Sequence, residues 1–312
     1  MNTQQPYCRI VPLPDHQVSF QVDGNERTRW HCGPNYPRPC FFPMNGPSGH
    51  SLTRMGHPGA PDHDHHRSIW FAHNKVLGIN FWADETAARI QQDQWLVYED
   101  GPTRAVMAVR LNWHDGHNPE ELLTQELIAI LRPAENQETL LELQSTFIPH
   151  SDSLEFSQTN FGFLAVRVAK SLSAFFGNGQ LTNSDGRKGE PLIFGNAAKW
   201  MDYSGPISAA ADPHEAIMEG ITYFDHPTNP NYPNHWHVRE DGWMGCSVCM
   251  NSPLTTTKNN PLALRFLLHA HQGPYDGMRA RQIATRFADW PEFTVARSTK
   301  KHTKFEIVER SA

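Results

Sequence analysis

Apolar side chains recurring at every second position, in short runs closed by Asp-Gly or Asn-Gly pairs, constrain this chain more than any other feature. In "QVSFQV" Val18, Phe20 and Val22 alternate with Gln17, Ser19 and Gln21; in "LLELQSTF" Leu141, Leu143 and Phe147 alternate with Glu142, Gln144 and Thr146. A period of two sends the two sets to opposite faces of a pleated strand, so both segments read as half-buried strands. "PLALRFLLHAH", "AVMAVRLNW", "LTQELIAIL", "FGFLAVRVA" and "KFEIVE" continue the series. Corners are signalled by Asp23-Gly24, Asn45-Gly46, Asp115-Gly116, Asn178-Gly179, Asp185-Gly186 and Asp241-Gly242, because glycine tolerates the backbone angles of tight turns. With 24 prolines and 21 glycines among 312 residues, long helices are disfavoured. The expectation is an all-β protein, a large antiparallel β-sandwich with few helices.

One segment departs from the pattern. "DGMRARQIATRFADWPEF" places Ile283, Phe287 and Trp290 on one helical face between Gly277 and Pro291, which predicts a single helix near the C-terminus. No internal repeat or low-complexity linker divides the chain, so residues 1–312 read as one domain. The proline-rich stretch "HCGPNYPRPCFFPMNGPSGH" reads as a long irregular loop.

The net charge of −6 is spread without a Lys/Arg block, which argues against a nucleic-acid partner. No apolar run approaches the length of about 18 residues that a membrane helix needs, and the N-terminus lacks a signal peptide's basic start and apolar core. A cytoplasmic protein with no membrane partner is expected. Cys8, Cys32, Cys40, Cys246 and Cys249 form an odd, sparse set, read as reduced thiols. "CSVC" lacks the second pair of a zinc site. Nor is there a G-x-S-x-G elbow, a Walker loop or a dinucleotide fingerprint. Histidine and tryptophan, at 18 and 9 residues, point to a polar-ligand site, since tryptophan offers flat apolar faces to sugar rings.

Two clusters carry the candidate chemistry. In "HPGAPDHDHHRSIWFAH" the flanking prolines favour an extended chain, which sends His63, His65 and Arg67 to one side and Asp62, Asp64 and His66 to the other. An H-x-H pair on a strand can present two imidazoles to one divalent metal, while adjacent aspartates orient them. Without metal the same groups form an acid–base centre. "FDHPTNPNYPNHWHVREDG" repeats the ingredients: His226, then His235-x-His237 around Trp236, then Arg239. If the clusters meet, His63, His65, His235 and His237 are a possible divalent-metal set. His57, Asp64, His65, His66, Arg67, His226, His237 and Arg239 are the catalytic candidates. Asp64 would orient an imidazole, and the arginines would hold substrate oxygens. His269 and His271, which alternate with Leu268 and Ala270, read as marking where a strand leaves the core. Glu126 and Glu190 are possible bases without a ranking.

At "FFPMNGPSGHSLTR…GHPGAPDHDHHRSIWFAH…GINFW", and again through "LTNSDGRKGEPLIFGNAAKWMDYSG" and the second histidine cluster, the sequence resembles the DUF6807 or "PmoA-like" bacterial domain family. The resemblance spans most of residues 38–275. The second label borrows from a membrane subunit of particulate methane monooxygenase, and this chain has none of that subunit's spans. Relatives resemble galactose-mutarotase-like supersandwich proteins and are associated with carbohydrate processing. The resemblance therefore implies a supersandwich and a small-molecule carbohydrate ligand. Relatives carry an acidic residue near the place of Phe161, from which this chain departs. Asn45, His50, Trp82 and Trp236 are the candidate substrate contacts, with Trp70 a further stacking candidate.

The leading expectation is an enzyme acting on a sugar or glycoside by histidine and carboxylate acid–base chemistry, mutarotase-, epimerase- or lyase-like, with possible help from a divalent metal. Two alternatives stand beside it: a non-catalytic carbohydrate-binding module, and a metal-dependent oxygenase built on an "HDH" motif.

Overall fold

A computed structural model describes residues 7–60, 63–207 and 216–310. In chain order the strands begin with β1 (Cys8–Leu13), β2 (Gln17–Val22), β3 (Asn25–His31), β4 (Cys40–Met44) and β5 (Ile69–His73). Next come β6 (Arg89–Glu99), β7 (Ala105–His114), β8 (Glu121–Pro133), β9 (Thr139–Pro149) and β10 (Ser153–Phe156). They continue with β11 (Gly162–Arg167), β12 (Gln180–Asn183), β13 (Trp200–Pro206), β14 (Met218–Asp225) and β15 (His235–Arg239). The last are β16 (Trp243–Ser247), β17 (Leu254–Thr257), β18 (Leu262–Gln272), β19 (Phe293–Arg297) and β20 (Phe305–Glu309). Helix α1 (Glu190–Ile193) is a single turn, and α2 (Gly277–Ala288) is the helix predicted from sequence. Its N-cap, Asp276, accepts the backbone N–H groups of Met278 and Arg279, satisfying two of the donors a helix start leaves unpaired.

Two eight-stranded sheets dominate. The first runs β1-β2-β3-β4-β5-β11-β16-β15 and the second β12-β13-β14-β18-β9-β8-β7-β6. Their named strand pairs are antiparallel. Phe20, Trp30, Phe41, Ile69 and Phe71 of the first sheet and Met107, Leu127, Leu143, Tyr223 and Phe266 of the second share one buried cluster, which makes the pair a sandwich.

The outer faces differ. That of the second sheet is covered by α2, whose Ala280, Ile283 and Phe287 pack on Leu140, Trp200, Phe224 and Leu267. The β19–β20 hairpin covers a neighbouring part, packing on Val106, Ala108 and Ile130. This cover corrects the half-buried reading of β9: Glu142 and Gln144 are buried, with Glu142 held by Arg132 and Arg265. It also corrects His269 and His271, which are buried on Glu138 and Asp202 rather than at the edge of the core. The outer face of the first sheet bears an aromatic layer of Trp70, Trp82, Trp243 and Phe161.

The proline-rich stretch is not all loop, since "CFFPM" forms β4 and pairs with β3 and β5. Gly116, in the turn between β7 and β8, has φ +79°, and a Cβ there would lie 2.2 Å from the Ala87 carbonyl oxygen. Gly116→Ala is therefore expected to cost about 2 kcal/mol through overpacking and backbone strain. Urea denaturation measures it, and an unchanged midpoint would show that the turn relaxes freely.

Candidate functional site

Strand alternation builds the site. Along β15, Trp236 and Val238 point into the sandwich core, so His237 and Arg239 emerge on the outer face. By the same alternation Arg167 of β11, Trp243 of β16 and Trp70 of β5 point outward, because their neighbours Val166, Met244 and Ile69 are core residues. The register β5-β11-β16-β15 brings these side chains together. His63, His65 and His66, with Asn74 and Asn80, complete a cleft of about 360 Å³. His63, His65, His66, Asn74, Asn80, Trp82, Phe161, Arg167, His237, Arg239, Asp241 and Trp243 line it.

Its floor is aromatic, with Trp82 and Trp243 in the lining and Trp70 beneath them. The rings of Trp70, Trp82 and Trp243 lie 5.3 to 5.5 Å apart, centroid to centroid. His66 sits 4.6 Å from Trp243 and 4.2 Å from His65. The indole nitrogens of Trp70, Trp82 and Trp243 and the side-chain oxygen of Asn74 are buried without a hydrogen-bond partner among the described residues. Phe161 stands edge-on to both Trp82 and His237, and so forms an apolar wall of the cleft.

A polar chain crosses this floor. Arg167, only 1% exposed, donates from Nη1 to Asp241 Oδ1 at 2.6 Å and from Nη2 to His66 Nδ1 at 2.8 Å. A guanidinium only donates, so His66 accepts at Nδ1 and its proton resides on Nε2. His57 accepts the Gly59 N–H at Nδ1 and donates from Nε2 to Asp241 Oδ2 at 3.0 Å. His237 donates from Nδ1 to the Asn160 carbonyl at 3.2 Å, which leaves Nε2 as the lone-pair nitrogen.

The electrostatics follow from burial. Desolvation, reinforced by Arg239, pushes His237 down to about 4. Desolvation and then Arg167 push His66 far below the ordinary imidazole value. Burial also lowers His57, against the opposing hydrogen bond from Asp241. Burial pushes Asp241 upward, but the bonds and charge of Arg167 outweigh it and hold the carboxyl below the usual range. At neutral pH the cleft thus presents His66 and His237 as neutral imidazoles beside the Arg167–Asp241 ion pair.

Among the described residues seven imidazoles are lowered, those of His31, His57, His66, His73, His226, His237 and His269. Each favours protonation in the unfolded chain, so each contributes stability that is present above about pH 6.5 and lost as the pH falls toward its folded value. Glu126, Glu219, His271 and Asp225, the last raised to about 6, act in the opposite sense. The histidines outnumber them. The unfolding free energy, and with it the urea midpoint, is expected to fall between pH 7.5 and 5.5, the free energy by up to about 1.4 kcal/mol per pH unit for each uncompensated proton. A midpoint that rises on acidification contradicts this.

The structure joins His63, His65 and His66 of the first cluster to His237 and Arg239 of the second, and separates them from other candidates. His63 to His66 is a turn, closed by the His66 N–H on the His63 carbonyl at 3.0 Å, not the extended H-x-H strand predicted from Pro61. Asp62 lies outside the described residues. Asp64 is exposed, and in the cleft it is Asp241 that bonds an imidazole. Arg67 is spent on Asp84, which it shares with Arg38. His235 contacts Asn251 and does not line the cleft. Among the described residues no group of three or more His, Cys, Asp or Glu side chains converges to hold a metal ion, so the four-histidine set is not assembled.

His226 packs beneath α2, its Nε2 on the Phe287 carbonyl. Trp236 is wholly buried and donates to the Ala198 carbonyl, so it offers no stacking face, and Trp70 lies under the floor. Asn45 bonds the Glu26 carbonyl and His50 bonds Ser48; neither lines the cleft. Cys246 and Cys249 are buried, free thiols. Arg167 and Asp241 were the residues hidden from sequence reading: one sits in a run that reads only as strand, the other in a pair that reads only as a turn.

A larger groove of about 1050 Å³ runs beside α2. Its floor is Leu140 and Ile283, and its buried His269 is already bonded to Glu138. The cleft, with its unpaired donors, is the better candidate.

Comparison with solved structures finds distant likenesses. A GalM/aldose epimerase homologue from C. elegans covers 87% of this chain and 100% of its own, at 7% identity and a TM-score of 0.35. The candidate mutarotase YeaD from Salmonella typhimurium covers 84% of this chain and 96% of its own, at 11% identity and a TM-score of 0.29. No curated protein matches the sequence. The family model of DUF6807, a family of unknown function, matches residues 17–285, a span that holds every residue lining the cleft. The chain belongs to the DUF6807 family.

Proposed function

We propose that this protein is a carbohydrate-processing enzyme whose cleft binds an uncharged sugar and whose His237 exchanges a proton with it. The observation that carries this reading is the lining of the cleft, in which Trp82, Phe161 and Trp243 stand beside Asn74, Asn80, His66, His237 and Arg239. A ligand with an apolar C–H face and a rim of hydroxyls complements such a wall of rings and hydrogen-bonding groups. Charge supports an uncharged ligand. Arg167 is balanced by Asp241 and Arg239 by Glu190, while His57, His66 and His237 are held neutral.

The division of labour follows from the tautomers. His237 Nε2, with its lone pair, takes a proton from a hydroxyl or an acidic C–H of the sugar. His66, with its proton on Nε2, acts as a neutral hydrogen-bond donor to a substrate oxygen, as a neutral imidazole can. Arg167 and Asp241 fix the His66 and His57 rings. Mutarotation, epimerisation and elimination all need such a proton transfer. The test is the pH dependence of initial rates. A base held at about 4 gives kcat/KM that is flat from pH 8 to 5; a break near the ordinary imidazole value of about 6.5 would contradict the assignment.

A further inference from the structure

Beside the cleft lies a second hollow of about 380 Å³, lined by Glu190, Pro191, Phe194, Arg239 and Glu240. Arg239 lines both, so the two adjoin across one side chain. We propose that this hollow is a second sugar subsite, and that the ligand is an uncharged glycoside or oligosaccharide with one ring in the cleft and the next against Phe194. The proposal rests on the reading of the cleft as a saccharide site.

Three features support it. Phe194 is 36% exposed although large and apolar; its ring is held by the Arg239 guanidinium, 4.5 Å from its centroid, and by the perpendicular ring of His237 at 5.3 Å. The Phe194 ring belongs to no buried core cluster, and a large exposed apolar ring lining a hollow marks a contact surface.

The polar side of the hollow is equally fixed. Glu190 Oε1 accepts from Arg239 at 2.8 Å and Oε2 accepts the Glu240 backbone N–H at 2.8 Å. Arg239 is 44% exposed and has further N–H donors beyond the one used. An aromatic face beside a braced guanidinium–carboxylate pair matches a pyranose ring, which has one face of C–H groups and a rim of hydroxyls. Glu240, which also lines the hollow, adds carboxyl oxygens that can accept from sugar hydroxyls.

Calorimetric titration of the full-length protein with glucose, cellobiose and cellotetraose, and with xylose, xylobiose and xylotetraose, tests the subsite. In at least one series affinity is expected to rise about tenfold from one ring to two. Phe194→Ala is expected to erase that gain and leave single-ring affinity within about twofold, and Phe194→Tyr to keep it. Single sugars that bind with no gain from a second ring, or a gain that survives Phe194→Ala, overturn the subsite and leave the cleft reading intact. Binding by no member of either series overturns both.

Discussion

His237→Ala is expected to lower turnover by about 10² to 10⁴, the usual contribution of a positioned general base. The expectation rests on three facts together. His237 is the member of the cleft whose Nδ1 is occupied by a backbone carbonyl, at Asn160, so its Nε2 is free to accept. Its neighbours Phe161, Phe194 and Trp243 exclude water and keep it unprotonated at neutral pH. Its position on β15 between two paired residues, Trp236 and Val238, gives it a rigid base. His237→Gln retains volume and hydrogen bonding but not basicity, so it should lose turnover almost as fully while binding ligand nearly as well. Equal kcat in wild type and both variants would remove His237 from the chemistry.

Asp241→Asn is expected to destabilise the fold by about 3 kcal/mol, because it strands the Arg167 charge in the interior. The figure sits at the low end for a buried pair since Asp241 itself is 26% exposed. Arg167→Met should cost a similar amount, and it also removes the donor that sets the His66 tautomer. The double variant Arg167→Met, Asp241→Leu should recover a large part of the lost stability, since removing both charges is cheaper than stranding one. Activity should not return with it. Urea denaturation of wild type, Arg167→Met, Asp241→Leu and the double variant gives the coupling, and single variants that each cost under about 0.5 kcal/mol would show that the pair is not buried in any energetic sense.

The fold was legible because alternation is a local signal. Val18, Phe20 and Val22 face the core as their spacing requires, and Ile283 and Phe287 seat α2 on the second sheet. β4 was hidden by its own Pro43, which removes a ladder donor and reads as loop. The site was half legible. Strand spacing alone puts Trp236 on the face opposite His237, a signal present in "HWHVR" and outweighed by the attraction of an exposed tryptophan. Arg67 looked suited to hold substrate because it follows the histidines, but Asp84, seventeen residues on, claims it. Arg167 and Asp241 meet His57 and His66 only through the register of β5, β11 and β16, and no local pattern encodes which strands become neighbours.

Incubating the protein with a panel of neutral mono- and disaccharides in D₂O, and following the sugar protons by ¹H NMR, tests the central claim most directly. Anomeric exchange, deuterium entry at carbon and elimination each change the spectrum differently, so the measurement needs no prior choice of reaction. The predicted result is a change in at least one sugar that wild-type protein accelerates and His237→Ala does not. A panel left unchanged by the wild-type protein, or changed equally by the variant, would contradict it.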